Sequence, residues 1–179
     1  MKVGDLCQKQ VVTVRPFDEL VSAARLMREK HVGYLIVVEP AFKEGTFVPE
    51  GVLTDRDMVV SVMARETDPS SLRVGDIMTR NPVLAQEDDS LPAALERMRR
   101  IGVRRLPVVG DQGQLVGVLS LDDVISALVA QLQDVAGSIR SEQLVEHALR
   151  PWLALPAACQ RRRALDRTTY RTPADAELQ

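Results

Sequence analysis

Gly51-Val52-Leu53-Thr54-Asp55-Arg56-Asp57 returns later in the chain as Gly117-Val118-Leu119-Ser120-Leu121-Asp122-Asp123, at an offset of 66. Each stretch reads as the end of an apolar strand running into a helix that opens on a hydroxyl residue, with an aspartate three places on. Towards the N-terminus the offset becomes 71 and holds without a gap. Val3-Gly4-Asp5-Leu6 pairs with Val74-Gly75-Asp76-Ile77, Val12 with Val83, Asp18 with Asp89, and Leu20 with Leu91. Ala23 pairs with Ala94, Met27-Arg28 with Met98-Arg99, Leu35 with Leu106, and Val37-Val38 with Val108-Val109. The change of offset gives the first copy five extra residues within Pro40–Glu50. The chain is a tandem repeat, and that decides its architecture before any local motif does.

Each copy predicts the order β-α-β-β-α. Val11–Val14 and Val83–Ala85 are short apolar or β-branched runs that read as strands. Asp18 in the first copy, and Asp89 or Ser90 in the second, stand where N-caps are expected. Leu20, Ala23, Ala24 and Met27, and then Leu91, Ala94, Leu95 and Met98, follow at helical spacing and predict one buried stripe per helix. Leu35–Val38 and Leu106–Val109 are continuous apolar runs, expected as strands covered on both faces. A turn at Asp111-Gln112-Gly113, another strand and a second helix complete the copy. Neither copy is expected to bury its sheet alone, so the two should pack face to face as one α/β (α+β) module. The expected bounds are 1–66 for the first repeat, 72–132 for the second, and 133–179 for a helical extension and basic tail.

Composition narrows the function. The 179 residues are 45% hydrophobic and only 3% aromatic, so the core is aliphatic and base-stacking platforms for single-stranded nucleic acid are not expected. No apolar run reaches the length of a membrane span, and the two isolated cysteines, Cys7 and Cys159, make neither a disulfide framework nor a zinc knuckle. A cytoplasmic protein is the expectation. The net charge of −2 is an average: residues 150–179 carry +3 and residues 1–149 carry −5. Arg161-Arg162-Arg163 lies in a proline-interrupted tail without any nucleic-acid-binding signature. Arg97, Arg99 and Arg100 are expected on a solvated helix face, and His31 at a helix C-terminus, where a cation suits the dipole. Cys7 is read as a structural or incidental thiol rather than a redox sensor.

Thr54-x-x-Asp57 and Ser120-x-x-Asp123 admit two readings. Each is a capping box, the hydroxyl accepting from the third helical N–H while the carboxylate reaches back. The same hydroxyl, free helix amides and carboxylate at a strand-to-helix junction also suit a phosphate and a ribose diol.

Tandem copies carrying Val-Gly-Asp-Ile-Met, Met-Arg-x-x-x-Val-x-x-Leu-Pro-Val-Val and Gly-Val-Leu-Ser-x-x-Asp resemble cystathionine-β-synthase (CBS) domains, a pair of which forms a Bateman module. The resemblance covers residues 1–132. It implies a pseudo-twofold disc with two clefts between the copies, which in this family often take adenine nucleotides or adenosyl compounds. On that pattern Asp57 and Asp123 match the ribose-binding aspartates, with Thr54 and Ser120 beside them. Val12-Thr13-Val14 and Val83-Leu84-Ala85 match the strand that flanks the base. Arg104-Arg105 resembles the His-Arg pair that grips phosphates in kinase gamma subunits, and Arg56 adds a cation beside the first box. The copies differ: Gly33-Tyr34 stands where copy two has Arg104-Arg105, Ile36 where it has Pro107, and Cys7 where it has Met78. Two unequal clefts follow.

The expected function is a non-enzymatic regulatory module that senses AMP, ADP, ATP, S-adenosylmethionine or NAD and signals to another, unidentified protein. No cofactor is required. The alternative is a structural module that only dimerises. An apolar pattern past Asp123 (Ile125, Leu128, Val129, Leu132, Val135), interrupted at Gly137-Ser138, points to a second copy of the chain as a partner. No nucleophile–base pair, glycine-rich phosphate loop or metal cluster marks an enzyme.

Overall fold

The computed structural model describes residues 1–41 and 45–149. Phe42, Trp152, Cys159, Arg161-Arg162-Arg163 and the rest of the expected basic tail lie outside the described residues. Met1–Val129 makes one compact unit and Ala130 opens a second.

In the first copy the order is α1 (Val3–Leu6), β1 (Thr13–Val14), α2 (Leu20–Lys30), β2 (Tyr34–Pro40), β3 (Phe47–Thr54) and α3 (Asp55–Ser61). The second copy repeats it as α4 (Val74–Ile77), β4 (Thr79–Arg80), β5 (Ala85–Gln86), α5 (Leu91–Ile101), β6 (Arg105–Val109), β7 (Leu115–Ser120) and α6 (Leu121–Leu149). The β-α-β-β-α order stands, preceded in each copy by one helical turn. The strands before α2 and α5 are two-residue pieces, Thr13–Val14 and Ala85–Gln86, shorter or later than the expected runs. Each pairs parallel with the next strand over only two positions before the chain turns into its helix.

That turn corrects the expected caps. Asp18 and Asp89 do not cap; each carboxylate accepts from a backbone N–H three residues back, Arg15 or Gln86, at 2.7 Å. Glu19 stands at the N-cap of α2 without a side-chain bond, and Ser90 caps α5 by accepting from Ala93 N at 3.4 Å. Arg97 is not on a solvated face either. Its guanidinium donates to Asp89 at 2.5 Å and to the Leu84 carbonyl at 3.1 Å, tying α5 to the turn before it.

Leu20, Ala23 and Met27 are buried on α2, as are Leu91, Ala94 and Met98 on α5; Leu95 is half-buried and Ala24, on the far edge of its stripe, is exposed. Leu35–Val38 and Leu106–Val109 are buried along their whole length. Alternation explains how: Leu35 and Val37, like Leu106 and Val108, face the helices of their own copy. Ile36, Val38, Pro107 and Val109 are buried on the other side, where β3 and β7 bring the two sheets together.

The two cores exchange their first helices. Val3 and Cys7, from the start of the chain, pack with Ala85, Leu91, Leu106 and Leu119 of the second copy. Val74 and Met78 pack with Leu20, Leu35 and Leu53 of the first. Backbone bonds fix both crossings, Val3 N to Asp89 O at 3.0 Å and Val74 N to Asp18 O at 3.0 Å. Beyond them β4 joins the edge of β3, and Gln8 bridges Val118 of β7 in the same antiparallel way. The crossing explains why Gly51 and Gly117 recur. A Cβ on Gly117 would stand 2.5 Å from the Gln8 carbonyl oxygen, and one on Gly51 would stand 2.7 Å from the Met78 sulfur.

The five-residue insertion extends the β2–β3 hairpin, which pairs out to Pro40 and Phe47. α6 runs unbroken through Gly137-Ser138 to Leu149, against the interruption expected there; Ser138 Oγ returns to the Asp134 carbonyl at 3.0 Å. No helix among the described residues is long and apolar enough to cross a membrane.

Candidate functional site

Both Thr/Ser-x-x-Asp stretches form capping boxes, and the bonds show how much of each carboxylate the helix uses. Thr54 N and Thr54 Oγ1 donate to Asp57 Oδ2 at 2.8 and 2.7 Å, and Asp57 N donates to Thr54 Oγ1 at 3.1 Å. In the second copy Ser120 N donates to Asp123 Oδ2 at 3.2 Å, Ser120 Oγ donates to the same oxygen, and Asp123 N donates to Ser120 Oγ at 3.1 Å. The cap takes Oδ2 in both copies. Asp57 Oδ1 then has no hydrogen-bond partner among the described residues, whereas Asp123 Oδ1 accepts from Gln8 Nε2 at 2.7 Å.

A cleft of about 520 Å³ opens in front of the first box. Its walls come from both copies: Thr54, Asp55, Arg56 and Asp57 at the β3–α3 junction, Val83 before β5, and Arg104 and Arg105 at the start of β6. Gly33, Tyr34, Thr79, Asn81 and Val103 are among the other residues that line it. The repeat forces this meeting, because crossed α4 and β4 carry Thr79–Val83 onto the first copy's sheet edge. Ordinary pocket volumes run from about 300 to 1,000 Å³, so the cleft has room for a nucleotide-sized ligand.

Its wall carries charges of both signs. Arg56, Arg104 and Arg105 outnumber Asp55 and Asp57 along the wall. Arg105 lies over the Tyr34 ring, 5.8 Å from its centroid, and 3.9 Å from Asp122. Burial pushes the Tyr34 phenol well above its ordinary value, and the Arg105 charge offsets only part of that, so Tyr34 serves as a neutral aromatic support.

Of the residues expected to bind, the cleft gathers Thr54, Arg56, Asp57, Val83, Arg104 and Arg105. Ser120 and Asp123 form the second box, outside this cleft. Ala85 is fully buried in the second core, and Leu84 is half-buried with its carbonyl on Arg97. Val12 packs against the first core, while Thr13 and Val14 line a shallower groove of about 590 Å³ along α2 with Phe17, Arg25 and Arg73. Sequence reasoning missed Gln8, Thr79 and Asn81. The offset of 71 pairs Gln8 with Thr79 directly after the aligned Cys7 and Met78, and that register was the available signal.

The sequence model of the CBS-domain family matches residues 3–64 and 74–130, and the chain belongs to that family. It is 36% identical over 122 residues to the CBS domain-containing protein YhcV of Bacillus subtilis, covering 68% of this chain and 81% of that one. The CBS-pair protein CBSX2 of Arabidopsis thaliana superposes with a TM-score of 0.64 at 26% identity, over 74% of this chain and 96% of its own. The CBS domain pair of protein MJ0100, solved with 5-methylthioadenosine and S-adenosyl-L-methionine, superposes with a TM-score of 0.61 at 22% identity, over 73% and 98%.

Proposed function

We propose that the chain is a non-enzymatic regulatory module that binds a phosphate-bearing adenosine ligand and passes its occupancy to another protein. The observation that carries this reading is the cleft that sets a half-unpartnered carboxylate, Asp57, opposite Arg104 and Arg105 of the other copy. Asp57 Oδ1 would accept from a ribose hydroxyl. Arg56, Arg104 and Arg105 would hold phosphate oxygens, for which a guanidinium fork is well shaped. The excess of guanidinium favours AMP, ADP, ATP or the pyrophosphate of NAD over the cationic S-adenosylmethionine. A ligand held by both copies acts on their arrangement, and it shifts that arrangement only by its differential affinity for the two states. The adenosyl ligands of the MJ0100 pair support the ligand class.

Calorimetry with AMP, ADP, ATP, NAD and S-adenosylmethionine tests the reading. Heat is expected from the phosphate-bearing ligands, and Asp57→Asn or Arg104→Ala/Arg105→Ala should weaken binding at least tenfold, since a hydrogen bond to a charged group contributes about 1.5–3 kcal/mol. No heat from any of the five, or heat unchanged in both variants, would sink it.

A second reading, an assembly module, is favoured by α6. Ile125, Leu128, Leu132, Val135 and Ile139 are all exposed and recur at alternating steps of three and four, the spacing of a helix–helix seam. Homodimerisation through that seam is compatible with ligand sensing and belongs to the same proposal.

A further inference from the structure

The two boxes are alike in every local bond, yet one of them is already occupied. Asp123 Oδ1 receives the Gln8 amide at 2.7 Å. The residue that stands to Asp57 as Gln8 stands to Asp123 is Thr79, by the offset of 71 and by pairing: Gln8 lies opposite Val118, and Thr79 opposite Val52. Thr79 lines the first cleft, but its side chain is two bonds shorter than that of glutamine, and it makes no hydrogen bond to Asp57.

Gln8 is delivered by rigid backbone. Its N–H donates to the Val118 carbonyl at 2.9 Å and its carbonyl accepts from Val118 N at 3.0 Å. The amide therefore meets the carboxylate without a loop having to order. A ribose diol approaching Asp123 would have to displace it, losing a hydrogen bond to a charged acceptor.

We propose that Gln8 is an internal stopper on Asp123, which makes this a single-site module with its ligand at Asp57 alone. The inference rests on the nucleotide reading of the first cleft. The bond a ligand must break to displace the stopper weakens the second site by about tenfold or more relative to an open carboxylate.

Reciprocal substitutions test it, both at exposed positions whose backbone bonds the new side chain leaves intact. The full chain is titrated calorimetrically with AMP, ADP and ATP, with thermal melts as the check on folding. Wild type should take about one ligand per chain. Gln8→Ala should open a second site, which Asp123→Asn in the same background removes. Thr79→Gln should install the stopper on Asp57 and weaken the wild-type site about tenfold. Two equal sites in wild type, or one site in both wild type and Gln8→Ala, would overturn the stopper while leaving the nucleotide reading intact. No binding by wild type would overturn the nucleotide reading and the stopper with it.

Discussion

At the end of α2 the backbone turns with His31 at φ 54°, where α5 uses Gly102 at φ 76°. A left-handed residue with a Cβ carries about 1–2 kcal/mol of strain, part of which glycine returns through its freer unfolded chain. His31→Gly should therefore raise stability by about 0.5–1 kcal/mol, read as a higher urea midpoint. The imidazole does sit at the helix C-terminus as its sequence position implied, but the backbone it must adopt is the larger effect. Asp89 carries a pH dependence. Burial alone would raise its carboxyl, but the Arg97 hydrogen bond, the Gln86 N–H and the Arg97 charge outweigh burial and hold it below the ordinary 3.8. A depressed folded-state value means this stabilisation is complete above pH 3.8 and is lost as pH falls through the lower, folded-state value. Asp89→Asn should be less stable than wild type at neutral pH, and the gap should narrow on acidification below 3.8, followed as urea midpoint against pH. A gap that stays constant to pH 2 would contradict this role.

At the scale of elements, the repeated Gly-Val-Leu is where a crossing chain needs room. Gly117→Ala would press a methyl on the Gln8 carbonyl and on the Cys7 sulfur 2.9 Å away, and Gly51→Ala would meet the Thr79 carbonyl at 3.0 Å. Each should destabilise by about 1–3 kcal/mol, the ordinary consequence of overpacking, measured by thermal or urea unfolding. The longer helices and the long strands were legible because their apolar spacing extends over many residues, whereas the single turns α1 and α4 were not. The bounds of β1 and β5 were not legible either, because a two-residue parallel ladder leaves no period to fix where a strand starts. The role of Arg97 was hidden for another reason: its partners, Asp89 and the Leu84 carbonyl, lie on a turn whose path depends on tertiary packing. On α6, Leu128→Gln with Leu132→Gln should abolish self-association without lowering the melting temperature of the folded unit, as sedimentation velocity and calorimetry would show.

Over the whole molecule, the register of the repeat located the Thr54–Asp57 box and the family resemblance pointed to Arg104–Arg105, but the linear sequence did not set how the two meet. That depends on α1 and α4 changing places, which leaves no mark in a linear comparison of the copies because both move in the same way. The difference between the two boxes was equally silent, since it resides in the reach of one side chain, Gln8. The exchange also bears on how the chain is made. Val3–Cys7 is synthesised well before its neighbours Ala85, Leu106 and Leu119, so it emerges with none of its own core to pack on. At about 5–20 residues per second, the ribosome needs several seconds more before Leu119 exists. The first half cannot close early either, because Val74 and Met78 belong to its core. Closure of the first core is thus deferred until Met78 is out and that of the second until Leu119 and Val124 are, and a nascent chain stalled at residue 72 should remain sensitive to protease.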